Sequence, residues 1–388
     1  MGTISFQETI KLMVGDNIIS TLPYALAQRN CLRVLIVCDE PAYRLGYVDM
    51  VKNVFINTAI EVVEVYKGVG DVATDKNAEE IARKYTYLKC DAIIAVGKKA
   101  TVEAAKGAKI LLIEGVRYVS HYIDNSISEY ATQDVQLFVI PTNFGSGFEA
   151  LQSTRLYDNV QNNIYEFKTE YAATNVLVMD TKMTDIIPPK AIATYGLFAL
   201  SLALECYVED DSSMIAKAYA DVAISTVYKY LTKCIFKNAN KEYRQKIMEA
   251  VGYASCAYAS VKKNTLLEPL TDIISDKYLA NFANIYTILF RHHIQEVEIG
   301  RAFGYILNAM VEPNDFALYA REARGQKALA QVEALYAKIE EYVDFNAKLR
   351  DFGVKEEDLE GIADAFMKYN EDETITKDRV MQLLRATL

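Results

Sequence analysis

Two glycine-containing segments carry residue types suited to holding an anionic ligand. Gly97-Lys98-Lys99-Ala100-Thr101 stands directly before a helical pattern. Backbone N–H groups at a helix N-terminus attract phosphate, and two lysines add charge. The same segment also reads as a turn with solvated lysines. The second segment is Pro141-Thr142-Asn143-Phe144-Gly145-Ser146-Gly147. Its Gly-Ser-Gly run admits close backbone approach to a ligand, and equally makes a flexible turn. Gly68-Val69-Gly70 is weaker, because the third glycine of a dinucleotide fingerprint is missing.

Imidazole is scarce. The chain has three histidines, His121, His292 and His293. Most catalytic metal sites and many acid–base devices need this side chain. No HExxH pattern occurs. His292 and His293 are adjacent, so on a helix they point about 100° apart and read as a surface or partly buried pair. The cysteines (Cys31, Cys38, Cys90, Cys206, Cys234, Cys256) form no CxxC. They read as reduced thiols of an intracellular protein, several of them buried. Glu209-Asp210-Asp211 reads as a solvated helix end or loop.

The elements that position these residues fall into two textures. Arg33–Cys38, Glu61–Tyr66, Asp91–Val96, Lys109–Ile113, Gln136–Ile140 and Asn175–Met179 are expected strands. Helical patterns such as 74–85 and 101–106 lie between them. Apolar strands alternating with helices predict a parallel sheet covered on both faces. From Pro189 onward the apolar spacing is helical almost throughout: 191–208, 214–236, 241–262, 279–310, 322–345 and 356–368. A further helix is expected to start at Thr376, capping Asp378 or Arg379. The paired prolines Pro188-Pro189 mark the boundary, giving domains 1–183 and 184–388.

Length agrees, since single cores rarely grow beyond ~250–300 residues and this chain has 388. With 51% hydrophobic and 24% charged residues, it is no disordered chain, collagen or small disulfide scaffold. A formal net charge of −10 argues against nucleic acid as a partner. No basic segment followed by an apolar run opens the chain, which predicts no secretion. Phe6 stands where a myristoylation signal needs Ser or Thr. No apolar run reads as a membrane span; 191–208 comes nearest, and its Glu205 makes it a buried helix. A cytoplasmic protein is expected.

Several segments then match one pattern in order and spacing. Val14-Gly15-Asp16 precedes a helix and leads to Leu35-Ile36-Val37-Cys38-Asp39. Gly97–Lys106 (GKKATVEAAK) looks like GGGSxxDxAK, and Pro141–Glu149 (PTNFGSGFE) like PTTAGTGSE. Tyr195–Tyr207 (YGLFALSLALECY) looks like TGMDALTHAIEAY, and Asn264–Leu270 (NTLLEPL) like HGMAHPL. Residues 370–384 look like a closing NPR segment and last helix. Over nearly its full length the chain resembles the iron-containing alcohol dehydrogenase family, in the dehydroquinate synthase-like superfamily. The resemblance implies an α/β nucleotide-binding-like domain followed by an all-α domain. It also implies a small-molecule ligand in the cleft between them, and a homodimer. It places NAD(H) or NADP(H) across Asp39, Gly97, Lys98, Lys99, Thr142, Gly145, Ser146, Gly147 and Phe148.

The departures are large. The family binds its divalent metal through one Asp and three His; the matching positions here are Phe198, Leu202, Asn264 and Tyr278. The family's proton-relay histidine matches Glu268. Lys98, Lys99 and Ala100 replace Gly, Gly and Ser, Glu103 replaces Asp, and Phe148 replaces a small serine, to stack on a ligand or block the pocket. Glu371 and Asp372 replace Pro and Arg. No iron or zinc is expected. These losses favour a non-catalytic relative, a binding or assembly module with a protein partner. One alternative is a metal-independent NAD(P)-dependent alcohol/aldehyde oxidoreductase, with Tyr278 or Lys277 as electrophile. The other is a repurposed cleft using Glu268, Tyr278, Lys98 or Lys99 on a carbonyl or phosphate substrate. Whether the chain is an enzyme is left open by the residues alone.

Overall fold

The computed structural model describes residues 10–388 except 124, 129–130, 159, 161–162, 209–211, 238–239, 260, 262–265, 297–302, 346–347 and 371. The chain divides into two compact units at Ile187/Pro188.

The first unit runs β1 (Lys11–Gly15), α1 (Leu22–Ala27), β2 (Arg33–Asp39), α2 (Glu40–Arg44), α3 (Tyr47–Asn53), β3 (Glu61–Val69), α4 (Asp75–Tyr87), β4 (Ala92–Gly97), α5 (Lys99–Glu114), β5 (Gln136–Pro141), β6 (Ser153–Asp158), β7 (Asn163–Lys168) and β8 (Val176–Asp180). Six strands form a parallel sheet in the order β1-β8-β5-β4-β2-β3. The inner strands are apolar on both faces, because helices cover both. Val34, Ile36, Cys38, Ile94, Val96, Phe138 and Ile140 pack with Leu26, Val48 and Val51 on one face. Their sequence neighbours, such as Leu35, Ile93 and Leu137, are equally buried and turn to the other face. From β2 the chain moves outward to β3, then returns to lay β4 on the opposite side of β2. That reversal puts a crevice at the carboxyl ends of β2 and β4, where open α/β sheets hold ligands.

One expected strand is a helix. Residues 109–113 form the C-terminal part of α5, whose residues 100–102 and 104–113 are all buried. A helix packed on every side shows a continuous apolar run, and five residues of it cannot be told from a strand. The antiparallel hairpin β6–β7 was not foreseen; its inward residues Thr154, Leu156 and Asp158 give only a faint alternation.

The second unit is helical: α6 (Pro189–Val208), α7 (Met214–Phe236), α8 (Lys241–Ala259), α9 (Leu267–Tyr278), α10 (Phe282–Glu296), α11 (Phe303–Met310), α12 (Pro313–Leu318), α13 (Arg324–Glu340), α14 (Leu359–Tyr369) and α15 (Lys377–Thr387). Helix α6 packs on α7, α8 and α10. It is long and apolar enough to cross a membrane, but 89% of its apolar window is buried within the protein. Thr376 caps α15 by accepting from the Arg379 N–H at 3.3 Å.

Candidate active site

In the first unit the strand ends line up. Cys38 pairs with Val96, and Gly97 with Pro141. Asp39, Gly97 and Thr142 therefore lie side by side at the crevice. The Asp39 carboxylate faces inward. Its Oδ1 accepts from the Ala42 N–H at 2.8 Å, capping α2, and its Oδ2 accepts from the Lys98 N–H at 2.9 Å and from the Thr101 hydroxyl at 3.3 Å. Asp39 thus ties the end of β2 to the β4–α5 turn. Gly97 is needed because of this tie: a Cβ there would lie 2.6 Å from Asp39 Oδ2 and closer still to Thr101 Oγ1. Lys98 is the N-cap of α5 and supplies no side-chain cap. Its side chain is exposed. The Thr101 and Val102 N–H groups donate to the Lys98 carbonyl at 3.0 and 3.2 Å, and the positive end of the α5 dipole points to the crevice. Lys99 turns the other way, to pair with Glu103 at 2.7 Å.

The second glycine segment leans on the first. The Thr142 N–H donates to the Gly97 carbonyl at 3.2 Å. Gly145 and Gly147 have φ of 104° and 78°, values that only glycine adopts easily. Asn143 Oδ1 accepts from the Gly145 N–H at 2.8 Å, and Glu149 Oε1 accepts from the Ser146 N–H. The Phe148 ring is buried, 6.0 Å from Lys99 Nζ. Beneath it Lys106 is fully buried, and its Nζ donates to the carbonyls of Phe148 at 3.1 Å and Leu151 at 2.7 Å. Lys106 therefore fastens α5 to the loop.

Burial pulls the Lys106 ammonium down to about 8, against the opposing pull of Glu149 and Glu103. A lysine that loses its proton more easily folded than unfolded costs stability while both states are charged. That cost fades as pH rises from about 8 toward the ordinary lysine range. Wild type is therefore expected to gain on Lys106→Met as pH is raised from 8 to 10.5. Paired urea unfolding curves test this, and a gap that stays constant contradicts it.

In the second unit, Phe198 and Leu202 lie one turn apart on α6, both fully buried. The Phe198 ring meets Tyr286 at 5.2 Å and Phe282 at 6.1 Å between centroids. Neither Phe nor Leu has a donor atom, and divalent metals need oxygen, nitrogen or thiolate ligands. Asn264 lies outside the described residues. Among those described, no three of His, Cys, Asp and Glu gather as a metal site. The residues do not fit the metal that the resemblance implies. Tyr278 and Lys277 end α9 against Asp358, with Lys277 Nζ at 3.1 Å from Asp358 Oδ1. Both meet Asp358 there, whereas the Phe198 ring meets α10. His293 on α10 is pulled down to about 4 by burial and Arg379, so it is neutral at physiological pH. All six cysteines are buried and unbridged; burial lifts Cys31 and Cys90 to about 11, which makes them poor nucleophiles.

Glu268 is placed differently. It sits in the first turn of α9, partly exposed, and its Oε2 accepts from the Tyr258 hydroxyl at 3.4 Å. Tyr258 of α8 and Tyr286 of α10 are buried with their phenols close together, and Glu205 of α6 lies beside them. The sequence gave no sign of this phenol–carboxyl cluster, because its members come from four separate helices.

A parallel sheet with a glycine-edged crevice, followed by a unit of packed helices, is the architecture of the dehydroquinate synthase-like fold. The model for "Iron-containing alcohol dehydrogenase" matches residues 9–181, and that for "Fe-containing alcohol dehydrogenase family, C-terminal" matches 192–388. The chain belongs to the iron-containing alcohol dehydrogenase family. It is 27% identical over 252 residues to aldehyde-alcohol dehydrogenase 2 of Entamoeba histolytica, a match covering 62% of this chain and 28% of that protein's length. To the NAD-dependent methanol dehydrogenase of Bacillus methanolicus it is 23% identical, across 90% of both. Among solved structures, 1,3-propanediol oxidoreductase superposes with a TM-score of 0.86 at 19% identity, covering all of both chains. Sulfoacetaldehyde reductase from Bifidobacterium kashiwanohense, in complex with NAD+, gives 0.79 at 15% identity, covering 100% of this chain and 99% of that one.

These relatives overturn the expectation of a non-catalytic module. They bear the names of working dehydrogenases and reductases, and nothing about them points to a lost activity. The inference from missing metal ligands went too far. Their loss removes one way of polarising a carbonyl and leaves other routes to the reaction open.

Proposed function

We propose that the chain is an NAD(P)-dependent alcohol/aldehyde oxidoreductase that works without a divalent metal. The observation that carries this reading is the N-terminus of α5 at the β2–β4 crevice, uncapped by Lys98 and flanked by the Gly145–Gly147 loop. The positive end of its helix dipole, the exposed Lys98 ammonium and the loop backbone suit a pyrophosphate. When bound, NAD(P) supplies the hydride acceptor or donor. Lys98 offsets phosphate charge, Lys106 and Asp39 hold the two loops in place, and Phe148 fills the space under the second loop. Glu268 takes the hydroxyl proton during alcohol oxidation and returns it during carbonyl reduction. A neutral Glu268 also donates a hydrogen bond to the carbonyl oxygen, the polarising role a metal would otherwise fill. A cytoplasmic homodimer belongs to the same reading, and the edge strand β1 offers a face for pairing.

Glu268→Gln is expected to lower kcat for aldehyde reduction by about 10²–10⁴-fold while cofactor affinity is kept. Steady-state NADH and NADPH oxidation with a panel of short aldehydes measures this. Wild-type protein that oxidises neither cofactor with any aldehyde would sink the proposed activity.

A further inference from the structure

Glu268 does not act from an ordinary surroundings. Glu268 is partly exposed, and its Oε2 accepts from the Tyr258 hydroxyl at 3.4 Å. Tyr258 is 2% exposed and Tyr286 is 0% exposed. Burial holds both phenols protonated, far above their usual range, and Glu205 and Glu268 push the same way. Tyr258 is therefore a permanent donor, with the Tyr286 phenol packed beside it. Among the described residues, the groups facing Glu268 include Tyr258 from α8, Tyr286 from α10 and Glu205 from α6, with Asp272 one turn along its own helix. Asp276, Lys277 and Asp358 belong to the far end of α9, about 12 Å along its axis.

We infer that Tyr258 is a positioning residue for Glu268, fixing the carboxylate's rotamer and stabilising its charged form. The inference rests on the proposed role of Glu268. A hydrogen bond donated to a carboxylate favours its charged form, and so does a place in the first turn of a helix. Removing the Tyr258 hydroxyl withdraws one of these two supports of the charged form, so Glu268 holds its proton to higher pH.

The test is the pH profile of kcat/KM for alcohol oxidation in wild type, Tyr258→Phe, Tyr286→Phe and Glu268→Gln, each checked for folding by circular dichroism. The rising limb, where Glu268 must be deprotonated, is expected to move up by about one pH unit in Tyr258→Phe, a tenfold change in proton affinity. KM for the cofactor stays unchanged. Tyr286→Phe leaves the Tyr258–Glu268 bond and removes the phenol packed beside it, so its limb moves the same way by less. This variant carries the test if Tyr258→Phe does not fold. Glu268→Gln abolishes the limb. A limb unmoved in both tyrosine variants, yet absent in Glu268→Gln, overturns the inference and leaves the role of Glu268 standing. A limb that survives in Glu268→Gln removes that role and the inference with it.

Discussion

Phe198→Asp is expected to unfold the helical half of the chain. The Phe198 ring is fully buried between Tyr286 and Phe282. Deleting a buried phenylalanine side chain costs about 3–5 kcal/mol. An unpaired carboxylate in its place adds several kcal/mol, less if it stays protonated. Total stabilities are about 5–15 kcal/mol, so the sum removes most or all of the margin. The substitution also restores the one carboxylate of the family's metal pattern. Iron or zinc is expected not to rescue it, because Leu202, one turn along, offers no donor atom. Thermal unfolding of the variant with and without Fe2+ or Zn2+ checks both points. A melting temperature returned to the wild-type value by metal would show that a metal site survives here.

Gly97→Ala is expected to weaken cofactor binding at least tenfold and to destabilise the first unit by about 1–3 kcal/mol. The added Cβ meets two groups that cannot retreat. Asp39 Oδ2 lies 2.6 Å away and is held by the Lys98 N–H, and Thr101 is fully buried. The β4–α5 turn must open, which moves the N–H donors of α5. Gly70→Ala is the control. It lies in the glycine segment that reads as weakest, and a Cβ there has nothing within 4 Å. It is expected to bind cofactor and melt like wild type. Equal losses at both glycines would mean that the effect is general chain stiffness and not the crevice.

What the sequence made legible follows from where burial leaves a mark. Strands β2 and β4 are short apolar runs stopped by Asp39 and Gly97, and such runs at the centre of a parallel sheet have few other readings. Residues 109–113 were misread because a fully buried helix loses its periodic polar face. Both glycine segments were visible as sequence. Their coupling was not, because it depends on Asp39 reaching across 59 residues to the Lys98 N–H and on Lys106 gripping loop carbonyls. Glu268 was a candidate through the resemblance alone. Tyr258, the group that conditions it, carried no signal, since a tyrosine on an apolar helix face reads as core. Phe198 and Leu202 carry no donor atoms, and the expectation of a non-catalytic module drawn from them was wrong: residue types reveal which donors a position lacks, not whether other groups carry the proton.

The most direct test of the account is calorimetric titration of the purified chain with NADH and NADPH, in EDTA and again with added Fe2+ or Zn2+. Micromolar binding of at least one cofactor, with the same affinity in both conditions, is the predicted result. Absence of binding at millimolar cofactor, or binding that appears only once metal is supplied, would contradict it.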